Sequence, residues 1–187
     1  MGKPTFNVPR ASVDGSCDYC SLEVLREIMK CQGIMPPAVK LGENVALSGR
    51  ATQSSILRGD EGSLSDAINA IDGNQDPNFV HGSCSCTNSE YAPWWRVDLL
   101  KPYRINAIII TNRNSVPERL NGAEILIGNS LANQGNNNPR CAYISSMAAG
   151  ATQTFYCALV GRYVNIAIRG RQEFLTLCEV QVFGQPV

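Results

Sequence analysis

Short runs rich in β-branched and aromatic residues recur along most of this chain, and Gly, Asn and Pro separate them. This spacing is typical of strands joined by turns, with no alternation of strands and helices. The run from Ile108 to Ile110 has no polar face, which predicts a central strand covered on both sides. The pattern predicts an all-β fold, an antiparallel β-sandwich or jelly roll with its function in the loops. The predicted strands are residues 94–99, 105–111, 123–127, 152–157, 163–168 and 177–183.

The region before residue 39 has a different pattern. Within residues 17–31, apolar side chains and cysteines recur at helical spacing, at Cys20, Val24, Ile28 and Cys31. Gly33 ends this predicted helix, and two prolines make a stiff connector after it. The sequence therefore predicts a short, cysteine-containing N-terminal helical extension over residues 1–38 and a main domain over residues 39–187.

The charges of the chain balance, with 16 Lys and Arg against 16 Asp and Glu among 187 residues. No summed electrostatic field would draw such a protein to nucleic acid or to an anionic membrane surface. No apolar run approaches the length needed to cross a membrane. We therefore expect no nucleic-acid partner and no membrane insertion.

Eight cysteines are many for a chain of this length. The only Cys-x-x-Cys pair, Cys17 and Cys20, lacks a second pair of ligands, so a zinc site is a poor interpretation. Disulfides formed in an oxidising compartment explain the cysteines better. Residues 1–9 lack the apolar segment of a signal peptide, and we interpret the sequence as the mature form of a secreted, extracellular protein.

The residues offer little for catalysis. The single histidine, His81, has no nucleophile motif beside it, and no glycine-rich phosphate loop or paired-carboxylate motif is present. We expect a loop histidine satisfied by neighbouring backbone, and a protein that is not an enzyme. The tripeptide at residues 58–60, Arg-Gly-Asp, is the kind that integrins bind, but a solvated loop is the default interpretation of so short a match.

Several ordered blocks carry a resemblance to a known family. They include residues 69–74 (NAIDGN), 81–84 (HGSC), 93–99 (PWWRVDL), 118–125 (ERLNGAEI), 161–164 (GRYV) and 177–180 (LCEV). Over residues 43–184 the chain resembles the F-type lectins, or fucolectins. The resemblance implies a calcium-containing β-sandwich jelly roll that binds terminal fucose.

The resemblance also implies which residues would hold the sugar, although the family's motif is altered here. The motif's histidine falls on Cys86, its first arginine on Arg113 and its aspartate on Ser115, while its last basic residue, Arg119, arrives one position early. The guanidinium group of arginine presents several N–H donors in a fixed geometry, which suits hydrogen bonding to the hydroxyls of a neutral sugar. The implied carbohydrate-binding residues are Arg113, Arg119 and Cys86, with Phe79, Val80 and Leu57 around the methyl group of fucose. The alternative is a pair of surface arginines held by Glu118 or Asp98.

A calcium site is implied in the same way. Calcium takes six to eight oxygen ligands, and the residues implied by the resemblance are Asn69, Asp72, Asn74, Ser83, Cys178 through its carbonyl, and Glu179. Taken alone, the sequence from Asp72 to Asn74 would indicate an ordinary turn.

The family pairs Cys84 with Cys178 and Cys141 with Cys157, which leaves Cys17, Cys20, Cys31 and Cys86. One alternative is an intrachain bridge from the extension to Cys86, and the other is bridges between chains of an oligomer, with Cys86 free or capped. We favour a disulfide-linked homo-oligomer.

The leading hypothesis is a secreted, calcium-containing lectin that recognises terminal fucose or a related glycan on glycoproteins through an arginine-based site. By analogy with its family it would serve innate immune recognition. A second hypothesis is a lectin-like domain that has lost sugar binding and acts in protein interaction or assembly. A third is phospholipid recognition, which the zero net charge disfavours.

Overall fold

The structure is a computed structural model that describes residues 41–57 and 65–187. These belong to one compact unit, Leu41–Val187. The predicted extension, with its helix and three cysteines, and the Arg-Gly-Asp tripeptide lie outside the described residues. The described part contains ten strands and five short 3₁₀ helices. The strands are β1 (Arg50–Gln53), β2 (Ser85–Cys86), β3 (Glu90–Tyr91), β4 (Trp94–Thr111), β5 (Ala123–Gly128), β6 (Arg140–Ile144), β7 (Thr152–Ile168), β8 (Gln172–Glu173), β9 (Thr176–Leu177) and β10 (Glu179–Pro186).

The 18-residue strand β4 is the centre of the sheet. Its first half pairs with β1 and its second half with β10, while β7 runs antiparallel beside both halves. β5 pairs with the end of β7, and β6 pairs with β5. All these pairings are antiparallel. The fold is therefore the antiparallel all-β architecture that the short β-branched and aromatic runs predicted.

Two irregularities in β4 bend the long strand. The pairing with β7 shifts register between Asp98 and Tyr103 and again between Ile105 and Ala107. Such bulges bend a strand and increase its twist. Arg162 holds the first of these bends by donating Nε and Nη2 to the two carboxylate oxygens of Asp98, each at 2.7 Å.

The two halves of the sheet share one buried core. Trp95 and Val164 come from the first half, and Ile108 and Val182 come from the second, and all four belong to the same cluster of buried side chains. Ile109 is half-buried, so the prediction that the isoleucine run is covered on both sides holds only in part. Burial of this apolar surface is the main source of stability for a fold of this size.

The core also sets the position of the loops. The fully buried Trp95 donates its indole N–H to the carbonyl of Ala67 at 2.9 Å. This bond ties the sheet to the 3₁₀ helix Ala67–Ile71, from which the loop at residues 72–83 begins. No helix in the described residues is long and apolar enough to cross a membrane.

Most of the strands predicted from the sequence are present, although their first and last residues differ. The runs at 94–99 and 105–111 form one strand, β4, and the runs at 152–157 and 163–168 form one strand, β7. Both disulfides implied by the family resemblance are formed, Cys84–Cys178 and Cys141–Cys157. The two-residue strands and β1 and β6 were not predicted, because segments so short carry no periodicity.

Candidate functional site

The loop at residues 72–80 is built from Asp and Asn side chains at every second position. The carboxylate of Asp72 accepts from the N–H of Asn74 at 2.8 Å, and the side chain of Asn74 accepts from the N–H of Asp76 at 3.1 Å. Asp76 and Asn78 continue the pattern with the N–H groups of Asn78 and Val80. Short polar side chains that bond the backbone two residues ahead stabilise tight turns. The sequence analysis overlooked this spacing, although it is visible in the sequence.

The ring of His81 contacts two side chains of the same loop. Its Nδ1 lies 2.6 Å from Oδ2 of Asp76, and its Nε2 lies 3.1 Å from the side-chain amide of Asn78. The hydrogen bond from His81 lowers the pKa of Asp76 below its ordinary value. The partners of His81 are thus side chains, and the expectation of backbone partners was wrong. Ser83 adds a bond from its hydroxyl to the carbonyl of Asp76 at 2.6 Å.

Glu179 stands out as the one charged residue that is fully buried among those described, with 1% of its surface exposed. Neither carboxylate oxygen has a hydrogen-bond partner of ordinary geometry. Burial, followed by the nearby charge of Asp72, raises the pKa of Glu179 to about 7, and the backbone N–H of Gly73 lowers it slightly. An unpartnered buried carboxylate beside a second carboxylate is costly unless a proton or a cation neutralises it.

Two further implied calcium ligands, Ser83 and Cys178, lie close to Glu179 through a disulfide. The disulfide Cys84–Cys178 joins the end of the 72–83 loop to the residue before β10, with the two Cα atoms 3.8 Å apart. Ser83 and Glu179 are the sequence neighbours of these cysteines. Gly73 adopts a φ of +86°, which residues with a side chain rarely adopt.

The residues implied as calcium ligands offer oxygen donors from carboxylates, amides and carbonyls. Asn69 is half-buried, and its Nδ2 lies 3.4 Å from the carbonyl of Cys84. Residues 41–57 and 65–187 contain no group of three or more His, Cys, Asp or Glu side chains that would hold a metal. A cation here would depend on two carboxylates with amide and carbonyl oxygens, the ligand set that calcium accepts.

A second cluster lies at the loop that follows β4. Arg113 is half-buried, and its guanidinium carbon lies 4.8 Å from the ring centroid of Phe79. Its Nε and Nη2 donate to the hydroxyl of Ser115 at 3.2 and 2.8 Å. Burial, followed by the charge of Arg119, lowers the pKa of Arg113. The two implied sugar-binding arginines therefore lie near each other.

Arg119 is supported by a residue that the sequence analysis did not identify. Its guanidinium carbon lies 4.2 Å from the ring centroid of Phe174. Arg171 holds the same loop from behind, donating Nη2 to the carbonyls of Arg119 and Asn121. At the other end of the loop, the buried Asn112 donates to the carbonyl of Pro117 at 3.2 Å. No local pattern around Phe174 indicates this contact.

Cys86 lies beside both arginines, at the position of the family's histidine. The thiol is free and fully buried, 3.2 Å from the hydroxyl of Thr176. Burial raises its pKa, an effect that Thr176, Arg119 and Arg113 oppose. The alternative in which Cys86 forms a bridge to the extension involves cysteines outside the described residues and stays a prediction.

The remaining implied sugar residues surround this cluster. Leu57 is half-buried and donates its N–H to the carbonyl of Cys86 at 3.0 Å. Val80 lies next to Phe79 in the 3₁₀ helix Phe79–His81, with 71% of its surface exposed. Within the described residues neither Glu118 nor Asp98 pairs with Arg113 or Arg119, and Asp98 instead pairs with Arg162. The alternative of two arginines held by those acids was wrong.

Comparisons with known proteins agree with this fold. Residues 69–166 match the family described as NedA-like, galactose-binding domain. Fucolectin-4 of Anguilla japonica is 55% identical over 143 residues, which cover 75% of this chain and 79% of the relative. The crystal structure of a fucolectin from the serum of striped bass, Morone saxatilis, is 52% identical with a TM-score of 0.75, covering 78% of this chain and 48% of that one. The lectin domain of lectinolysin in complex with Lewis B antigen is 31% identical with a TM-score of 0.66, covering 76% and 97%. The chain belongs to the F-type lectin, or fucolectin, family.

Proposed function

We propose that this protein is a lectin that binds terminal fucose through Arg113 and Arg119, without catalysis. The observation that carries the proposal is the pair of arginines, each stacked on an aromatic ring and neither bound to a carboxylate of the described residues. Guanidinium groups held in this way keep N–H donors available for sugar hydroxyls. The names of the relatives, fucolectins and a lectin domain complexed with Lewis B, support fucose as the ligand.

The surroundings of the arginines suit the rest of the sugar. The half-buried side chains of Leu57 and Phe79 offer an apolar surface for the methyl group of fucose. The buried thiol of Cys86 is a weak hydrogen-bonding group and replaces the family's histidine. Losing one hydrogen bond costs about 1 kcal/mol, so we propose binding several-fold weaker than in relatives that retain the histidine.

Titration calorimetry with a fucose-terminated trisaccharide tests the proposal. Arg113→Ala should abolish measurable binding, because it removes donors that no neighbouring side chain replaces. Arg140→Ala is the matched control, since Arg140 pairs with Glu124 on β6 and β5, outside the cluster. Binding by Arg113→Ala at the wild-type affinity would contradict the proposed site. Absence of any glycan binding, together with a stable multimer, would favour the alternative of an assembly module.

We propose calcium as a structural ion held by Asp72 and Glu179, with oxygens of Asn69, Asn74, Ser83 and the Cys178 carbonyl. The unpartnered buried carboxylate of Glu179 supports this assignment. A bound cation would supply positive charge beside the two carboxylates. The ligand residues themselves join the 72–83 loop, which carries Phe79, to the start of β10.

We propose secretion and covalent oligomerisation as well. Two disulfides in the lectin domain and a serum lectin among the similar structures support an extracellular location. Single sugar sites bind weakly, and linking several raises avidity, which suits innate immune recognition of fucosylated glycoproteins. Cys17, Cys20 and Cys31 would supply the links. Non-reducing electrophoresis should show a multimer that a thiol reductant converts to monomer, whereas a monomeric band in both lanes would contradict this proposal.

A further inference from the structure

Among residues 41–57 and 65–187, no carboxylate forms an ion pair with either arginine of the cluster, Arg113 or Arg119. Elsewhere in the described chain Arg140, Arg162 and Arg169 each lie 2.7 Å from a carboxylate oxygen. Arg113 instead donates to the neutral hydroxyl of Ser115.

The described titratable side chains near the cluster do not pair with the arginines. The buried thiol of Cys86 lies beside both, and its burial favours the neutral form. Glu118 precedes Arg119 in the chain but forms no ion pair with either arginine in the described part. The aromatic partners, Phe79 and Phe174, are uncharged. The two guanidiniums therefore present two positive charges close together on a half-buried surface.

A neutral sugar cannot compensate these charges. Fucose would accept hydrogen bonds from the guanidiniums but would leave their mutual repulsion unchanged. An oxyanion would accept hydrogen bonds from the same guanidiniums and would cancel part of their positive charge. Such charge-assisted hydrogen bonds are roughly twice as strong as neutral ones. The electrostatics of the cluster thus discriminate between neutral and acidic glycans.

Aromatic rings contact the faces of the two guanidiniums and leave their N–H groups available as donors. Phe79 and Phe174 lie against the faces, at 4.8 and 4.2 Å from the guanidinium carbons. The stacking holds each group in place without consuming an N–H donor. For Arg119, the guanidinium forms no hydrogen bond to another described residue, so its N–H donors are not used within that part of the chain.

We propose that this site prefers fucosylated glycans that carry an anionic group, a sulfate ester or a carboxylate, beside the fucose. This inference rests on the proposed function, because it names the subclass of glycan that the same site selects. It is carried by the unpaired arginines and by the neutral hydroxyl of Ser115 as the acceptor for Arg113.

The test is titration calorimetry with matched probes. The probes are the Lewis a trisaccharide, its 3′-sulfated form, its 3′-sialylated form and 3′-sulfated lacto-N-biose, which lacks only the fucose of the sulfated form. We expect at least one acidic trisaccharide to bind about five- to ten-fold more tightly than the neutral form at low salt. The difference should shrink as sodium chloride is raised, because salt screens exposed charges. Comparing the sulfated and sialylated forms identifies which oxyanion the site takes.

A variant that adds a negative charge tests whether the unpaired charge of Arg113 causes the preference for acidic glycans. Ser115→Asp places a carboxylate where Arg113 already donates two hydrogen bonds, and Ser115 is exposed, so the fold should tolerate the change. The variant should bind the neutral and acidic trisaccharides with nearly equal affinity. Ser115→Ala is the matched control, because it removes the hydroxyl without adding charge and should keep the acidic preference. A melting curve for each variant confirms folding.

The outcomes separate this inference from the proposed function. Equal wild-type affinity for neutral and acidic trisaccharides, both lost in Arg113→Ala, overturns the inference and leaves fucose binding intact. Binding of the fucose-free sulfated probe as tightly as the sulfated trisaccharide supports anion recognition and contradicts fucose recognition. Failure of every probe to bind contradicts both.

Discussion

The guanidinium of Arg119 lies over the ring of Phe174, 4.2 Å from its centroid. Phe174 comes from the segment between β8 and β9, whereas Arg119 comes from the 3₁₀ helix Pro117–Leu120. The contact therefore depends on the packing of two distant segments. It gives Arg119 a fixed partner at a place where no described carboxylate fulfils that role.

Replacing Phe174 should weaken sugar binding more than it weakens the fold. Cation–π contacts contribute about 0.5–2 kcal/mol, so Phe174→Ala should lower the affinity for a fucosylated trisaccharide by about three- to thirty-fold. Phe174→Tyr keeps the ring and should retain most of the affinity. Calorimetry measures the effect, and an unchanged affinity in Phe174→Ala would show that the stack does not position Arg119.

Removal of calcium should destabilise the protein. A ligand that binds only the folded state stabilises it by mass action, so a chelator should lower the melting temperature of the wild type. Asp72→Ala should melt lower in calcium and respond little to chelation. Asp66→Ala is a nearby control, because the side chain of Asp66 makes no capping bond to the following 3₁₀ helix. A wild type that melts identically with and without chelator would contradict the ion site.

The buried Glu179 should make the calcium-free protein sensitive to pH. Its pKa is raised to about 7 in the fold, against about 4.3 in an unfolded chain. A carboxyl group with a raised folded pKa contributes stability below the unfolded value, and this contribution is lost as pH rises through the folded value.

In chelator, the free energy of unfolding should therefore fall between about pH 4.3 and pH 7, by up to about 3 kcal/mol. Urea denaturation at several pH values measures it. Glu179→Gln cannot ionise at this position and should flatten the profile in that range. A wild-type profile that rises over the same range would contradict the raised pKa.

Restoring the family's histidine should strengthen the sugar site. Cys86→His puts a ring with hydrogen-bonding nitrogens beside Arg113 and Arg119, and one added hydrogen bond corresponds to about a several-fold gain in fucose affinity. Because Cys86 is a free thiol, the substitution breaks no disulfide. Cys86→Ser serves as the control of similar size. A Cys86→His protein that folds and binds no better than the Cys86→Ser protein would show that residue 86 does not contact the sugar.

The sequence by itself determined the features that depend on neighbours along the chain. Short runs of β-branched and aromatic residues separated by Gly, Asn and Pro predicted the all-β class, because such residues favour strands and such separators favour turns. The turn from Asp72 through Gly73 to Asn74 was visible as a local pattern, because its bonds join residues two apart. Resemblance of ordered blocks to the F-type lectins supplied the disulfide pairs and the implied ligand residues.

Tertiary structure decided what distant segments do to one another. It places the unpartnered carboxylate of Glu179 near Asp72, and Phe174 against Arg119. These relationships follow from how β2, β9 and β10 pack beside the loops, and no spacing in the sequence encodes them. Electrostatic and aromatic contacts act through space, so their partners are set by the fold, whereas hydrogen bonds within a turn are set by the order of residues.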